Sequence, residues 1–73
     1  MDEAQINYII KLMKRAARRL DDYAQALMEC STIDGKWPKY EINAKREYNA
    51  LVKDAHRLRH AAGVLKRSLK EPQ

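Results

Sequence analysis

Apolar residues in the first half of the chain recur at alternating spacings of four and three. This spacing is typical of a helix packed lengthwise against another helix. A second apolar row runs beside it, so the apolar surface is wide enough for more than one neighbour, as in a helical bundle. The first row is Ile6, Ile10, Met13, Ala17, Leu20, Ala24 and Leu27, and the second is Ile9, Ala16, Tyr23 and Cys30.

The second half of the chain repeats the same rhythm, from residue 44 to residue 69. The pattern predicts one helix over about 3–31 and another over about 39–70, and Pro72 ends the second. The apolar positions of the second helix are Ala44, Tyr48, Leu51, Ala55, Leu58, Ala62, Leu65 and Leu69.

The stretch "TIDGKWP" separates these two segments. Asp34-Gly35 is a turn signal, and Pro38 suits the first turn of a helix, where its missing N–H costs nothing. We therefore predict an all-α fold, a single domain over 1–73 formed by an antiparallel two-helix hairpin with its turn at 32–38. Trp37 is predicted to fold back over the end of the core.

Two registers between the helices are compatible with the pattern. A second helix that starts at Pro38 sets Leu20 opposite Tyr48, whereas one that starts near Asn43 sets Leu20 opposite Ala55. The second register pairs small residues with large ones. The first needs only a short loop, as most helix connections do, and is the one we favour.

The only cysteine is Cys30, so no intrachain disulfide can stabilise this small hairpin. We interpret Cys30 as a small buried apolar residue, and a lone thiol indicates a reducing compartment. Two hairpins that cover each other's second apolar row, a homodimeric four-helix bundle, are the simplest stable assembly. The acidic start and the lack of a long apolar run predict a cytoplasmic protein with no membrane partner.

The net charge of +5 is unevenly distributed. Seven acidic and five basic residues lie between Asp21 and Asp54, and the flanking segments are strongly basic. A merely solvated helix face usually mixes Glu with Lys, so a basic group on the first helix is a candidate for contact with phosphates or an acidic protein. That group is Lys11, Lys14, Arg15, Arg18 and Arg19.

Few residues suggest a catalytic or metal-binding role. His56 and His60 have a metal-ligand spacing, but Arg57 and Arg59 flank them, and two surface histidines are the simpler interpretation. No paired carboxylates, glycine-rich phosphate loop or nucleophile with a base is visible. We therefore predict neither an enzyme nor a cofactor nor a metal.

The sequence favours a small interaction module, such as an adaptor, a co-chaperone or an inhibitor that covers a partner's surface. Its apolar helix face would bind, flanked by basic residues. The alternative is an accessory protein that binds nucleic acid through the basic residues. The predicted partner-binding residues are Tyr8, Ile9, Lys11, Lys14, Arg15, Arg18, Arg19, Tyr23, Trp37, Arg57 and Arg59.

The second half also resembles the small needle-subunit co-chaperone of type III secretion systems, in "DGK", "REYNAL" and "HAAGVLK". The resemblance implies a helical hairpin that binds a helical-repeat chaperone through its apolar face. The basic end of the chain and the Trp37-Pro38 turn depart from that family. The matching positions are Arg46, Glu47, Ala50, Leu51, Ala62, Gly63, Leu65 and Lys66.

Overall fold

A computed structural model describes residues 2–70. Helix α1 spans Glu3–Ser31 and helix α2 spans Ile42–Lys70, with a short 3₁₀ turn at Lys39–Glu41 immediately before α2. The two helices pack along their length as a rod of 52 × 17 × 16 Å. The predicted all-α pair of packed helices is confirmed, whereas Pro72, the predicted end of the second helix, lies outside the described residues.

Both ends of α1 are capped by side chains. The carboxylate of Asp2 accepts a hydrogen bond from the Gln5 backbone N–H at 2.8 Å, and the Gln5 side chain accepts one from the Asp2 N–H at 3.2 Å. This reciprocal capping box satisfies donors that a helix start leaves free. At the other end, the N–H and hydroxyl of Thr32 both donate to the Met28 carbonyl, and the extended backbone of Thr32 ends the helix at Ser31.

A tight two-residue turn reverses the chain between the helices. Ile33 and Lys36 exchange two backbone hydrogen bonds, at 2.9 and 3.0 Å. Asp34 and Gly35 lie between them with φ of 54° and 77°. Two successive positive φ values characterise a type I′ turn, which Asp-Gly adopts readily. The turn signal in the sequence thus corresponds to the tip of the hairpin.

Trp37 folds back from the turn onto α2, as the sequence predicts. Its ring packs on Tyr48 with 5.5 Å between the centroids and 50° between the planes. Pro38, at φ −63°, precedes the 3₁₀ turn and accepts a hydrogen bond from the Glu41 N–H. The aromatic pair closes the bend end of the core.

The most deeply buried residues of the seam between the helices are mostly alanine. These small side chains allow two helix axes to approach closely. The larger seam residues, such as Leu20 and Leu58, are only half-buried. In the part of the chain that the structure describes, the buried apolar residues are Ile10, Ala17, Ala24, Ala55 and Ala62.

The preferred short-loop register is wrong. Leu20 borders a shallow depression with Leu58 and its neighbours on α2, ten residues beyond Tyr48, and Asp21 pairs with Arg59, so the helices adopt the second register. The reason is that α2 begins at Ile42 rather than at Pro38. The turn and the extended residues around Pro38 lengthen the connection. They are extended because a proline disfavours helical geometry at the residue before it, which here is Trp37. The residues lining this depression are Leu20, Asp54, Arg57, Leu58 and Ala61.

Candidate interaction surface

Helix α1 carries a second apolar stripe that α2 does not cover. Its positions alternate in spacing of three and four, as the seam positions do, and the helical repeat places them roughly 100° around α1 from the seam. Arg19 is the one charged residue within it. We call this set the outer stripe: Ile9, Leu12, Ala16, Arg19, Tyr23, Ala26 and Cys30.

Large apolar side chains of the outer stripe face solvent. Leu12 is 41% exposed and Tyr23 is 52% exposed, while Ile9 is half-buried. Cys30 is exposed, so its interpretation as a buried residue is wrong. It belongs to the outer stripe, and α2 packs against the seam instead. An uncovered apolar row of this length is typical of a binding surface.

Two shallow depressions adjoin along this side of the hairpin. The first lies against Leu12 and Ala16 of the outer stripe and reaches Leu20. The second, described with the register, starts at Leu20 and continues onto Leu58 and Ala61 of α2. Apolar surface therefore extends from the outer stripe across the hairpin. We call this surface, with the outer stripe, the apolar side.

Tyr8 extends the apolar side toward the helix start. It is 63% exposed and lines a depression with Gln5 and Ile9. Of the predicted partner-binding residues, Tyr8, Ile9 and Tyr23 thus lie on or next to the outer stripe. Sequence reasoning missed Leu12, although its place three residues after Ile9 and four before Ala16 could have revealed it.

The basic residues of α1 divide between two sides of the helix. All five are exposed. The helical repeat places Arg15 and Arg19 on or beside the outer stripe, and Lys11, Lys14 and Arg18 on the far side of the seam. That the five form a single face opposite the seam stays a prediction. The group on the far side, with three members, is the larger of the two.

Two polar contacts bridge the helices, one on each flank of the seam. Arg59 of α2 pairs with Asp21 of α1, on the side of Lys14. On the opposite flank, the Tyr23 hydroxyl donates to Glu47 Oε1 at 3.2 Å. This hydrogen bond, and then the negative charge of Glu47, raises the pKa of Tyr23. The flanks therefore differ, since one is closed by an ion pair and the other by a phenol.

The Asp21–Arg59 flank is the more basic. Asp21, which the helical repeat places on this flank together with Glu3 and Glu29, is paired with Arg59. The helical repeat brings bases from both helices to this side. We call them the basic side: Lys11, Lys14, Arg18, Lys45, Arg59 and Lys66.

Of the remaining predicted site residues, Arg57 borders the apolar side, in the depression with Leu20 and Leu58, and Trp37 lies apart from both sides. Arg57 lies 3.9 Å from Asp54, its neighbour on the same helix. Trp37 packs on Tyr48 and lines a depression at the bend, close to Ile42. Among residues 2–70, no three His, Cys, Asp or Glu side chains gather as a metal site.

No protein-family model, no curated protein and no solved structure matches this chain. The resemblance of the second half to a type III secretion co-chaperone stays a prediction. Neither α1 nor α2 is apolar enough along its length to cross a membrane.

Proposed function

We propose that this chain is a small, non-enzymatic protein–protein interaction module of the adaptor, co-chaperone or inhibitor type. Its apolar side binds a helical surface, and its basic residues orient the complex and accelerate encounter with an acidic partner. In its simplest assembled form, two hairpins form a homodimeric four-helix bundle. The basic sides of such a dimer face outward and remain free for a further partner.

The outer stripe is the observation that carries this proposal. Leu12 and Tyr23 are large, exposed and aligned with Ala16 on one side of a single helix. Scattered exposed apolar residues are ordinary on protein surfaces, but a continuous row at seam spacing is not. The row has the pattern by which one amphipathic helix binds another.

Site-specific photocrosslinking tests the proposal in cells that produce the full chain. A photoreactive phenylalanine derivative replaces Leu12 on the outer stripe or, as the control, the exposed His60 of α2. We expect an adduct with a protein, either another chain or a second copy, from Leu12 and not from His60. The absence of an adduct at Leu12, or equal adducts at the two positions, would contradict the proposal.

A nucleic-acid-binding accessory protein is the second candidate, and the basic side favours it. Six bases from the two helices lie there, and Asp21, one of the carboxylates among them, is paired with Arg59. When such a surface binds nucleic acid, it displaces the cations that surround the phosphates, so the affinity falls steeply as the salt concentration rises. The test is fluorescence anisotropy of labelled duplex DNA, single-stranded DNA and RNA at several salt concentrations.

The two candidates predict opposite results in that titration. Sub-micromolar binding with a steep salt slope, lost when Lys11, Lys14 and Arg18 are changed to Glu, would select the nucleic-acid function. The absence of binding at low salt would exclude it. Apolar helix packing responds little to salt, so crosslinking at Leu12 should persist across the same range.

A further inference from the structure

We infer that the outer stripe binds a second copy of this chain, with α1 packed antiparallel on α1 and the two bends at opposite ends. The inference rests on the proposed function and specifies its first partner and geometry. The midpoint between Arg19 and Leu20 lies on the two-fold axis. Each copy then presents the same residues to the other, as a two-fold interface requires.

The exposed surface of one hairpin is large enough to require such a partner. The chain exposes 6029 Å², whereas a compact monomer of 8.5 kDa exposes about 4,700 Å². If each of two copies buries the excess, the interface covers roughly 2,600 Å² in total, within the range of obligate homodimers. A second copy also supplies an apolar surface of the same length.

The large and small side chains of two outer stripes are complementary only when the two α1 helices run antiparallel. About the stated axis, Ala16 lies opposite Tyr23 of the second copy, and Leu12 lies one residue, about 1.5 Å along the helix, from the level of Ala26 of the second copy. Each small side chain thus meets a large one, the arrangement that fills a helix interface without voids. Ile9 lies opposite Cys30 of the second copy at each end.

The charges along one edge of the outer stripe also favour an antiparallel partner, because the sign of the charge changes between the two halves of α1. Arg15 stands in the first half of α1, and Asp22 follows it at heptad spacing in the second half. Neither Arg15 nor Asp22 takes part in an ion pair within residues 2–70. An antiparallel pair of α1 helices sets Arg15 beside Asp22 of the second copy, twice per dimer. The alternative dimer, with both bends at one end, sets α1 against α2 and forms neither contact.

Arg19 is the residue that limits this interface. Near the axis the two Arg19 side chains approach each other, and their aliphatic stems lie over Leu20 while the charges reach water. A charged residue at one position of an otherwise apolar helix interface lowers the stability of the assembly and fixes its register. Arg19→Leu should therefore tighten association at least tenfold.

Sedimentation equilibrium of the full chain gives the first test. We expect a dimer, and a monomer of unchanged helicity for Ala16→Glu. His60→Glu, which adds the same charge at an exposed position away from the outer stripe, should remain dimeric. A monomeric wild-type chain would overturn the inference.

A charge exchange tests the orientation. Arg15→Asp and Asp22→Arg should each weaken the dimer roughly five- to thirty-fold, because each replaces two attractive contacts with two repulsive ones. The double variant should recover most of the loss. Equal or additive losses in the double variant would overturn the antiparallel arrangement.

Disulfide trapping tests the same geometry without relying on charge. Ile9→Cys adds a thiol opposite the native Cys30 of the second copy, whereas the two positions on one helix are about 31 Å apart and cannot form a bond within a chain. Mild oxidation should yield a covalent dimer with two bridges. The wild-type chain and Ile9→Cys/Cys30→Ser should not. A covalent dimer of the wild-type chain, or none from Ile9→Cys, would overturn the inference.

These results separate the inference from the function on which it rests. A monomeric chain that crosslinks from Leu12 to a different protein refutes self-association and retains the interaction module. A monomeric chain with no adduct at Leu12 refutes both.

Discussion

Helix α1 bears two apolar stripes of similar length and spacing, and they have different fates. In the seam, Ala17 is 0% exposed because α2 covers it. Its neighbour Ala16, in the outer stripe, is exposed and stands between Leu12 and Tyr23. Small residues of each helix pack against larger ones of the other in the seam, so the hairpin closes on itself, whereas the outer stripe has no second helix to cover it. Apolar spacing alone therefore identifies a face without identifying its partner.

The same substitution at these two neighbouring alanines gives the sharpest test of the comparison. Ala17→Glu places a charge in the closed seam with no partner, and we expect a loss of about 3–5 kcal/mol, enough to unfold the hairpin. Circular dichroism should show the helical signal disappear. A folded Ala17→Glu chain would mean that the seam is not the core of the monomer.

Ala16→Glu should leave the hairpin folded and remove only the contribution of association. A tenfold rise in protein concentration stabilises a dimer by about 1.4 kcal/mol, so its melting temperature should increase with concentration. Thermal melts at two concentrations should show this increase for the wild-type chain and for His60→Glu, but not for Ala16→Glu. An increase that persists in Ala16→Glu would place the interface elsewhere.

The two glycines probe positions that neither stripe occupies. Gly63 lies inside α2, and an added Cβ would meet only Arg67 Nη1 at 3.8 Å. Gly63→Ala should therefore raise the unfolding free energy by about 0.5–1 kcal/mol. Gly35 has a φ of +77°, so Gly35→Ala should lower it by about 1 kcal/mol despite the open space around it.

Urea denaturation of the two glycine variants measures both changes. A destabilised Gly63→Ala would indicate that another chain approaches the hairpin at Gly63, on the side away from the outer stripe.

The ionisation of Tyr23 gives the smallest effect and reports on the outer stripe directly. Its pKa is raised by the hydrogen bond to Glu47 and by the negative charge of Glu47. A raised folded-state pKa means that this contact stabilises the fold below the ordinary tyrosine pKa and is lost as the pH rises through the folded-state value. Tyrosinate absorbance should show Tyr23 titrating above its ordinary range, and Glu47→Gln should return it toward that range. A wild-type titration that Glu47→Gln leaves unchanged would exclude the contact.

The sequence was sufficient for the helices and for the tip of the turn. Heptad spacing defines the seam, and Asp34-Gly35 has the backbone freedom that a type I′ turn requires. The register was mispredicted because loop length depends on how the chain leaves the turn, and Trp37-Pro38 adds extended residues before α2. The fate of Cys30 was mispredicted for a related reason, since local spacing places it on an apolar row but only the packing of α2 decides whether that row is covered.

The alanine seam has a consequence for how the hairpin finds its alignment. Ala17 and Ala24 repeat every seven residues, as do Ala55 and Ala62, so the seam looks nearly the same after a slide of one heptad. The larger seam residues recur in the same way, as Leu51, Leu58 and Leu65 do, so they fit again after such a slide. The register is instead fixed by the turn at the tip, which limits how far α2 can slide along α1, and by the Asp21–Arg59 pair, which forms in this alignment.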